Sequence, residues 1–407
     1  MLPTVDLACD VLVVGGGPAG SAAATFLARG GRRVVVVDKA TFPRDKCCGD
    51  GLTTLALREL ELLGLDPAAV ANWHPVADVV LRSPSGRQVD LRLPDGGQFA
   101  ATAPRRELDA ALVDLARAAG ADVRDGHAVT GVHHADDLVL ADVDGIGTVA
   151  ARYLVAADGM WSPVRKLLGH AEDGYLGEWH AFRQYAGDVT GPASERLYVW
   201  FEADLLPGYA WSFPLPGGRV NLGYGVLRDG TRGGAELRAL WDDLWSRPHI
   251  AEALGPRATF EGRHTAWPIP AGIDRATLTD GRVLFAGDAA MATDTMTGEG
   301  IGQAVLTGRL AAQAILAAGA VQPTLAASRY ERTVRDHLVA DHRMSVVLSK
   351  ALRHELGARG AMRVVAASGA WGRRNFARWM FEDEPRAIAL TPARWHRAVF
   401  ARPGAYH

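Results

Sequence analysis

The chain has 407 residues, is 48% hydrophobic and carries a formal charge of −2 at pH 7. At about two to three domain-equivalents core burial is not limiting, no stretch reaches the roughly 18 uninterrupted apolar residues of a membrane span, and a slightly acidic chain without a nucleic-acid module argues against nucleic-acid binding. Cys9, Cys47 and Cys48 give no disulfide framework, and Asp6 and Asp10 stand where a signal peptide carries Lys or Arg, so a cytoplasmic protein with reduced thiols is expected.

The segment Val11 to Ala24 followed by Val34–Asp38 predicts a strand, a glycine turn, a helix and a second strand ending in an acid. That order makes a dinucleotide cradle: Gly15 permits the tight turn, Gly17 lets backbone approach a pyrophosphate, and Gly20 lets helix and sheet close up. Asp38, eighteen residues past Gly20, is placed to accept ribose hydroxyls, and the helix N-terminus supplies an anion site. A plain glycine-punctuated turn is the alternative, and a single acid after four valines argues against it.

The loop Thr41 to Gly51 is too polar and glycine-rich to be a regular element. A helix is predicted from Leu52 to Leu63, capped by Gly64, and strands at Asp78 to Arg82 and Gln88 to Leu93, separated by the hairpin signal Ser83-Pro-Ser-Gly86. Pro104 opens a helix to about Ala119; Ala121 to Val132, Leu138 to Asp142 and Val149 to Ala157 read as strands. From Tyr175 to Trp267 long, aromatic, alternating segments predict antiparallel sheet, notably Leu197 to Phe201, Tyr209 to Pro214 and Val220 to Val226. The α/β pattern returns with a strand over Arg282 to Asp288 and an Ala/Leu-rich helix from about Gly302 to Ala318.

Gly287-Asp288 at a strand end and Thr297-Gly-Glu-Gly-Ile301 at a helix start bring an acid and free backbone N–H groups to one point, which suits a polyol phosphate as well as it suits simple strand–turn–helix punctuation. Tyr209, Trp211 and Phe213 alternate and so share one strand face, either as a wall for a large apolar ligand or as sheet core. The thirteen histidines include no HxxxH pair, and His133-His134 falls in a predicted turn, so no metal site is indicated. Ser162 and Ser212 lack a nucleophile elbow.

Three motifs in order, Gly15 to Gly20, Ala156-Ala-Asp-Gly159 with Ser162 and Arg165, and Ala286-Gly-Asp-Ala-Ala290 with Thr297 to Ile301, resemble the FAD-dependent para-hydroxybenzoate hydroxylase-like superfamily. Within it, Pro43-Arg-Asp-Lys-Cys-Cys-Gly-Asp-Gly-Leu52 and Pro207-Gly-Tyr-Ala-Trp-Ser-Phe-Pro214 resemble the geranylgeranyl reductase family, over about residues 8 to 340. The resemblance implies an α/β fold: a discontinuous Rossmann-like FAD-binding domain (1–75, 100–175, 270–340), an inserted antiparallel-sheet substrate domain (76–99, 176–269) and a helical segment (341–407).

It also implies that Gly15, Gly17, Ala19 and Gly20 line the ADP half of FAD, Asp38 the adenosine ribose, and Cys48, Gly49 and Gly51 the flavin-ring side. Arg105 is placed at the pyrophosphate or ribityl region, with Val129 at a strand end nearby and Asp288, Gly298, Gly300 and Ile301 around the distal half. Cys48 is a candidate proton donor or adduct-forming thiol, with Lys46 near enough to lower its pKa, or a packing cysteine. The family usually has proline where this chain has Thr295, which restores an N–H donor beside the flavin's reactive face.

The implied activity is hydride transfer from reduced FAD to a C=C bond of an isoprenoid or other apolar substrate. A monooxygenase or halogenase using oxygen captured at flavin C4a, and a non-catalytic flavin-fold binder, are the alternatives. The single dinucleotide fingerprint leaves the reductant as NAD(P)H passing transiently or a reduced electron-carrier protein. From His342 to His407 twelve Arg/Lys face four Asp/Glu. With Trp371, Trp379, Trp395, Phe376, Phe381 and Phe400, this tail is either a helical subdomain with aromatic core or a peripheral membrane contact.

Overall fold

The computed structural model describes residues 5–230, 232–395 and 398–407. Strand Leu7–Val14 is flanked by two parallel partners, Val34–Asp38 and Gly147–Ala156. Asp122–Asp125 extends the sheet on one side and Val283–Phe285 on the other, both parallel. A hairpin of Val129–His134 and Val139–Val143 adds antiparallel strands to the N-terminal half of Gly147–Ala156, completing an eight-stranded sheet. Valines fill the central strands because both faces are covered. Helices Pro18–Arg29, Arg105–Ala118 and Ile301–Ala318 pack together on one side. Ile301–Ala318 is long and apolar enough to cross a bilayer, yet 78% of it is buried within the protein.

The second sheet has seven strands in the order Thr259–Ile269, Trp179–Gly187, Arg219–Leu227, Tyr209–Leu215, Leu197–Trp200, Asp78–Arg82, Gln88–Arg92. All pair antiparallel except Leu197–Trp200 with Asp78–Arg82, which run parallel. The hairpin from the early chain segment joins an existing edge there, so its direction is not dictated by a tight turn.

Several elements differ from expectation. Ala121 to Val132 is two strands, broken at Gly126 where φ is +85°. His133 and His134 end a strand and are not in a turn. Helices Gly234–Ser246 and Pro248–Leu254 lie within the stretch expected to be sheet. Trp241 and Trp245, one helical turn apart, pack onto Tyr224 and Phe260 and cover the outer face of the second sheet. The helix Thr54–Leu63 is capped by the Thr53 hydroxyl, which accepts from Ala56 N–H, and by Gly64 at φ +86°.

The C-terminal region is helical: Pro323–Val334, Ala340–Leu352, Glu355–Ala367 and Gly369–Met380. Met362, Val365, Ala377 and Phe381 are buried against Leu91 and Phe99, while Trp371 and Trp395 are exposed. The chain then turns back so that Ala405 bridges Gln98 and Arg58 donates to Pro403 O.

Candidate active site

The glycine turn is built as its spacing predicts. A Cβ on Gly20 would lie 1.8 Å from Gly15 O, and one on Gly15 2.3 Å from Ala157 O. Gly17 instead faces open space whose nearest side-chain atom is Arg44 Nη2, 3.6 Å from a would-be Cβ. Asp38 accepts from Gly16 N at 2.7 Å and from Ala40 N at 2.8 Å, so the acid braces the turn and keeps lone pairs spare. Ala19 is buried beside Gly287, and Val129 lines the cavity at this end.

Arg105 is buried and grips Asp109 through two bonds of 2.7 Å. Arg44 reaches the same carboxylate at 2.9 Å. Asp109 therefore holds two guanidinium groups at the wall of the cavity. Sequence reasoning missed Arg44 and Asp109, because nothing local links either to Arg105 beyond the four-residue spacing of one pair.

The loop from Arg44 to Gly51 lies between the two sheets. Arg183 holds Asp45 at 2.7 Å. Asp50, fully buried, accepts from Tyr185 Oη at 2.6 Å, Asn221 Nδ2 at 2.8 Å and Arg105 N at 3.2 Å. Burial pushes the Asp50 carboxyl up to about 6 against these bonds. Lys46 Nζ stands 4.0 Å from the Trp267 ring centroid and 4.0 Å from Asp288 Oδ2; burial lowers its pKa, and Asp288 opposes the fall. Cys48 Sγ accepts from Asp50 N, and burial pushes the thiol up to about 11. Desolvation outweighs the opposing Arg105 charge, so the thiol is raised on balance even with Lys46 nearby.

Asp288 and the segment Thr293 to Ile301 form the opposite wall. Asp294 accepts from Met296 N, Thr297 N and the hydroxyls of Thr297 and Ser345. Gly298 sits at φ +69°. Glu299 lines the cavity, and its Oε1 accepts from Ile301 N at 2.8 Å and Gly302 N at 2.9 Å, so the chain's own carboxyl caps this helix. Burial raises it to about 7. Thr295, in place of the usual proline, acts through its side chain: the hydroxyl accepts from the Trp179 indole at 3.0 Å.

Tyr209, Trp211 and Phe213 all line one cavity, as their alternation predicts. Trp211 and Phe213 also press on the loop: would-be Cβ atoms on Gly49 and Gly51 fall 3.3 and 2.9 Å from the Phe213 ring. Packing and wall are therefore one arrangement. The cavity of about 1200 Å³ runs from Asp38 and His127 past the cysteine loop to Leu352, Met362, Val365 and Phe376 of the C-terminal helices. A drug-sized ligand needs roughly 300–1,000 Å³, so there is room for a dinucleotide and part of a second molecule. The C-terminal contribution was missed, because helical periodicity marks an apolar face without saying what it faces.

Comparison with known proteins sets this geometry in a family. A model of the FAD binding domain matches residues 8–197. The menaquinone reductase of Mycolicibacterium smegmatis is 37% identical over 355 residues, covering 79% of this chain and 81% of that protein. The digeranylgeranylglycerophospholipid reductase 1 of Methanopyrus kandleri is 30% identical over 347 residues, covering 80% and 87%. The chain belongs to the geranylgeranyl reductase family of FAD-dependent oxidoreductases. The crystal structure of a geranylgeranyl bacteriochlorophyll reductase-like protein from Thermoplasma acidophilum shares its fold, with TM-score 0.81 at 23% identity over 96% of this chain and 100% of that one.

The residues present fit FAD, this family's cofactor. Gly17 faces open space with Arg44 beside it, Arg105 shares the Asp109 carboxylate with Arg44, and Asp38 and Asp288 both line the cavity.

Proposed function

We propose that this family member saturates a C=C bond in the isoprenoid chain of an apolar lipid or quinone. One observation carries the reading: the cavity wall passes without interruption from the glycine cradle to an apolar region of aromatic and aliphatic side chains. Menaquinone and geranylgeranyl lipids, named for the relatives, share isoprenoid chains as their common chemistry.

In this reading Gly15, Gly17, Ala19 and Gly20 receive the ADP half of FAD, Asp38 the ribose, and Val129 flanks it. Arg105 and Arg44 meet the phosphates or ribityl chain, Asp288, Gly298, Gly300 and Ile301 the distal half, and Cys48, Gly49 and Gly51 the ring. When bound and reduced, FAD supplies a hydride. The chain supplies orientation through Tyr209, Trp211 and Phe213, a dry apolar environment, and the proton that balances the hydride at the second carbon. Cys48, pushed up to about 11, and Glu299, raised to about 7, are two groups on the cavity wall with raised proton affinity that could hold it.

Electrons arrive from NAD(P)H bound transiently or from a reduced carrier protein, because the sequence carries one dinucleotide fingerprint. The protein is cytoplasmic in this account and meets a membrane peripherally through residues 341–407. Incubating reduced, FAD-loaded protein anaerobically with isoprenoid quinones tests the reaction: a product gaining two hydrogens on the chain supports it, and a chain left unchanged across the panel counts against it.

A further inference from the structure

Each of three consecutive C-terminal helices exposes apolar and basic residues together on one helical face. On Ala340–Leu352 these are Val347, 61% exposed, and Lys350, three residues on. On Glu355–Ala367 they are Leu356, 80% exposed, with Arg363 and Val364 at i+7 and i+8, the latter 70% exposed. On Gly369–Met380 they are Trp371, 75% exposed, and Arg374. Residues three, four, seven and eight apart share a helix face.

A solvated face carries charge of both signs and few large apolar groups. This one differs on both counts. Between Arg343 and Arg374 the sequence has seven Arg/Lys and one acid, Glu355, and that acid is paired with Arg359 at 2.7 Å. Lys350, Arg363 and Arg374 make no ion pair among the described residues and are exposed.

The cavity reaches the surface between the first two of these helices. Ala351, Ala361 and Val364 are exposed and also line it. Exposed aliphatic side chains, an exposed tryptophan and cations without ion pairs on the helices beside an apolar opening match a bilayer with anionic headgroups.

We propose that this face docks on an anionic lipid bilayer and that the cavity opens into it between Ala340–Leu352 and Glu355–Ala367, so the isoprenoid chain enters from the lipid without crossing water. The docking stands on the surface residues; only the identity of what enters rests on the function proposed above. Cations dock on headgroups, Trp371 and Leu356 insert beside them, and the mouth lies at acyl-chain depth.

Co-sedimentation of the full-length, FAD-loaded protein with vesicles tests this, comparing phosphatidylcholine alone with phosphatidylcholine containing phosphatidylglycerol. Binding to the anionic vesicles is expected, at least tenfold stronger than to neutral ones and weakened by salt, since each basic residue near such a surface is worth roughly fivefold. The triple variant Lys350→Glu, Arg363→Glu, Arg374→Glu and the pair Leu356→Ser, Trp371→Ser change exposed side chains outside the cavity wall. Each is expected to lose vesicle binding at least tenfold while retaining FAD and reducing detergent-dispersed isoprenoid quinone as before. Absence of binding to anionic vesicles at low salt overturns the proposal. So does a concentration-dependent dimer, in sedimentation velocity, that the pair of serine substitutions abolishes, because a second copy then covers the face. Vesicle binding without isoprenoid reduction would leave the docking intact and remove only the proposed substrate.

Discussion

The indole of Trp211 donates to Asn221 Oδ1 at 3.1 Å, and the Asn221 amide nitrogen donates to Cys48 O and Asp50 Oδ2, each at 2.8 Å. One buried amide thus ties the aromatic wall to the loop assigned to the flavin ring. Asn221→Leu leaves the Trp211 indole and part of Asp50 unsatisfied and is expected to cost about 2–4 kcal/mol, with lower turnover. Equilibrium denaturation checks the first and steady-state kinetics the second; an unchanged midpoint would show that the bridge is dispensable.

Trp211→Ala separates wall from scaffold in a different way. Turnover is expected to fall at least tenfold with FAD still bound, because the glycine cradle is untouched. A wild-type rate would return Trp211 to a packing role.

Asp288→Ala removes the acid at the distal wall and the partner of Lys46. FAD affinity is expected to fall at least tenfold, read from the flavin absorbance that survives gel filtration. Full flavin retention would contradict the placing of Asp288 against the cofactor.

Asp109 is fully buried and holds Arg105 and Arg44 together. Asp109→Ala leaves buried guanidinium charge uncompensated, at a cost of about 3–5 kcal/mol. The melting temperature checks this, and a shift within error would mean that water or another acid replaces the carboxylate.

Glu382, bonded to Gln303 and to the Thr53 hydroxyl, is pushed by burial from 4.5 up to about 8, with Arg386 opposing. Below about pH 4.5 both folded and unfolded chains hold this proton. Between there and pH 8 only the folded chain does, so the stabilisation is fully present at low pH and lost as pH rises through 8, at up to about 1.4 kcal/mol per pH unit. Glu382→Gln is expected to flatten the decline in stability over that window. An identical pH slope in both proteins would show that Glu382 titrates normally.

The glycine turn was legible in the sequence because close approach dictates it: Gly15 and Gly20 have no room for a Cβ. Tyr209, Trp211 and Phe213 were legible from alternation alone. The network around Asp50 was not, since Tyr185 and Asn221 lie 135 and 171 residues away. A signal for Asn221 did exist, as the one uncharged amide in an apolar strand demands a buried partner. The helices after Leu227 were obscured because aromatic residues suggested strand, although Trp241 and Trp245 are four apart, the spacing of a helix face.

The central claim is tested most directly by stopped-flow mixing of the reduced, FAD-loaded protein with an isoprenoid quinone under nitrogen and, separately, with oxygenated buffer. The account predicts rapid anaerobic flavin oxidation with a saturated C=C bond in the recovered chain, and slow, featureless reoxidation by oxygen. Reduced flavin that ignores the isoprenoid but reacts with oxygen through a long-lived absorbing species, leaving an oxygen atom in the product, would contradict it and make the protein an oxygenase.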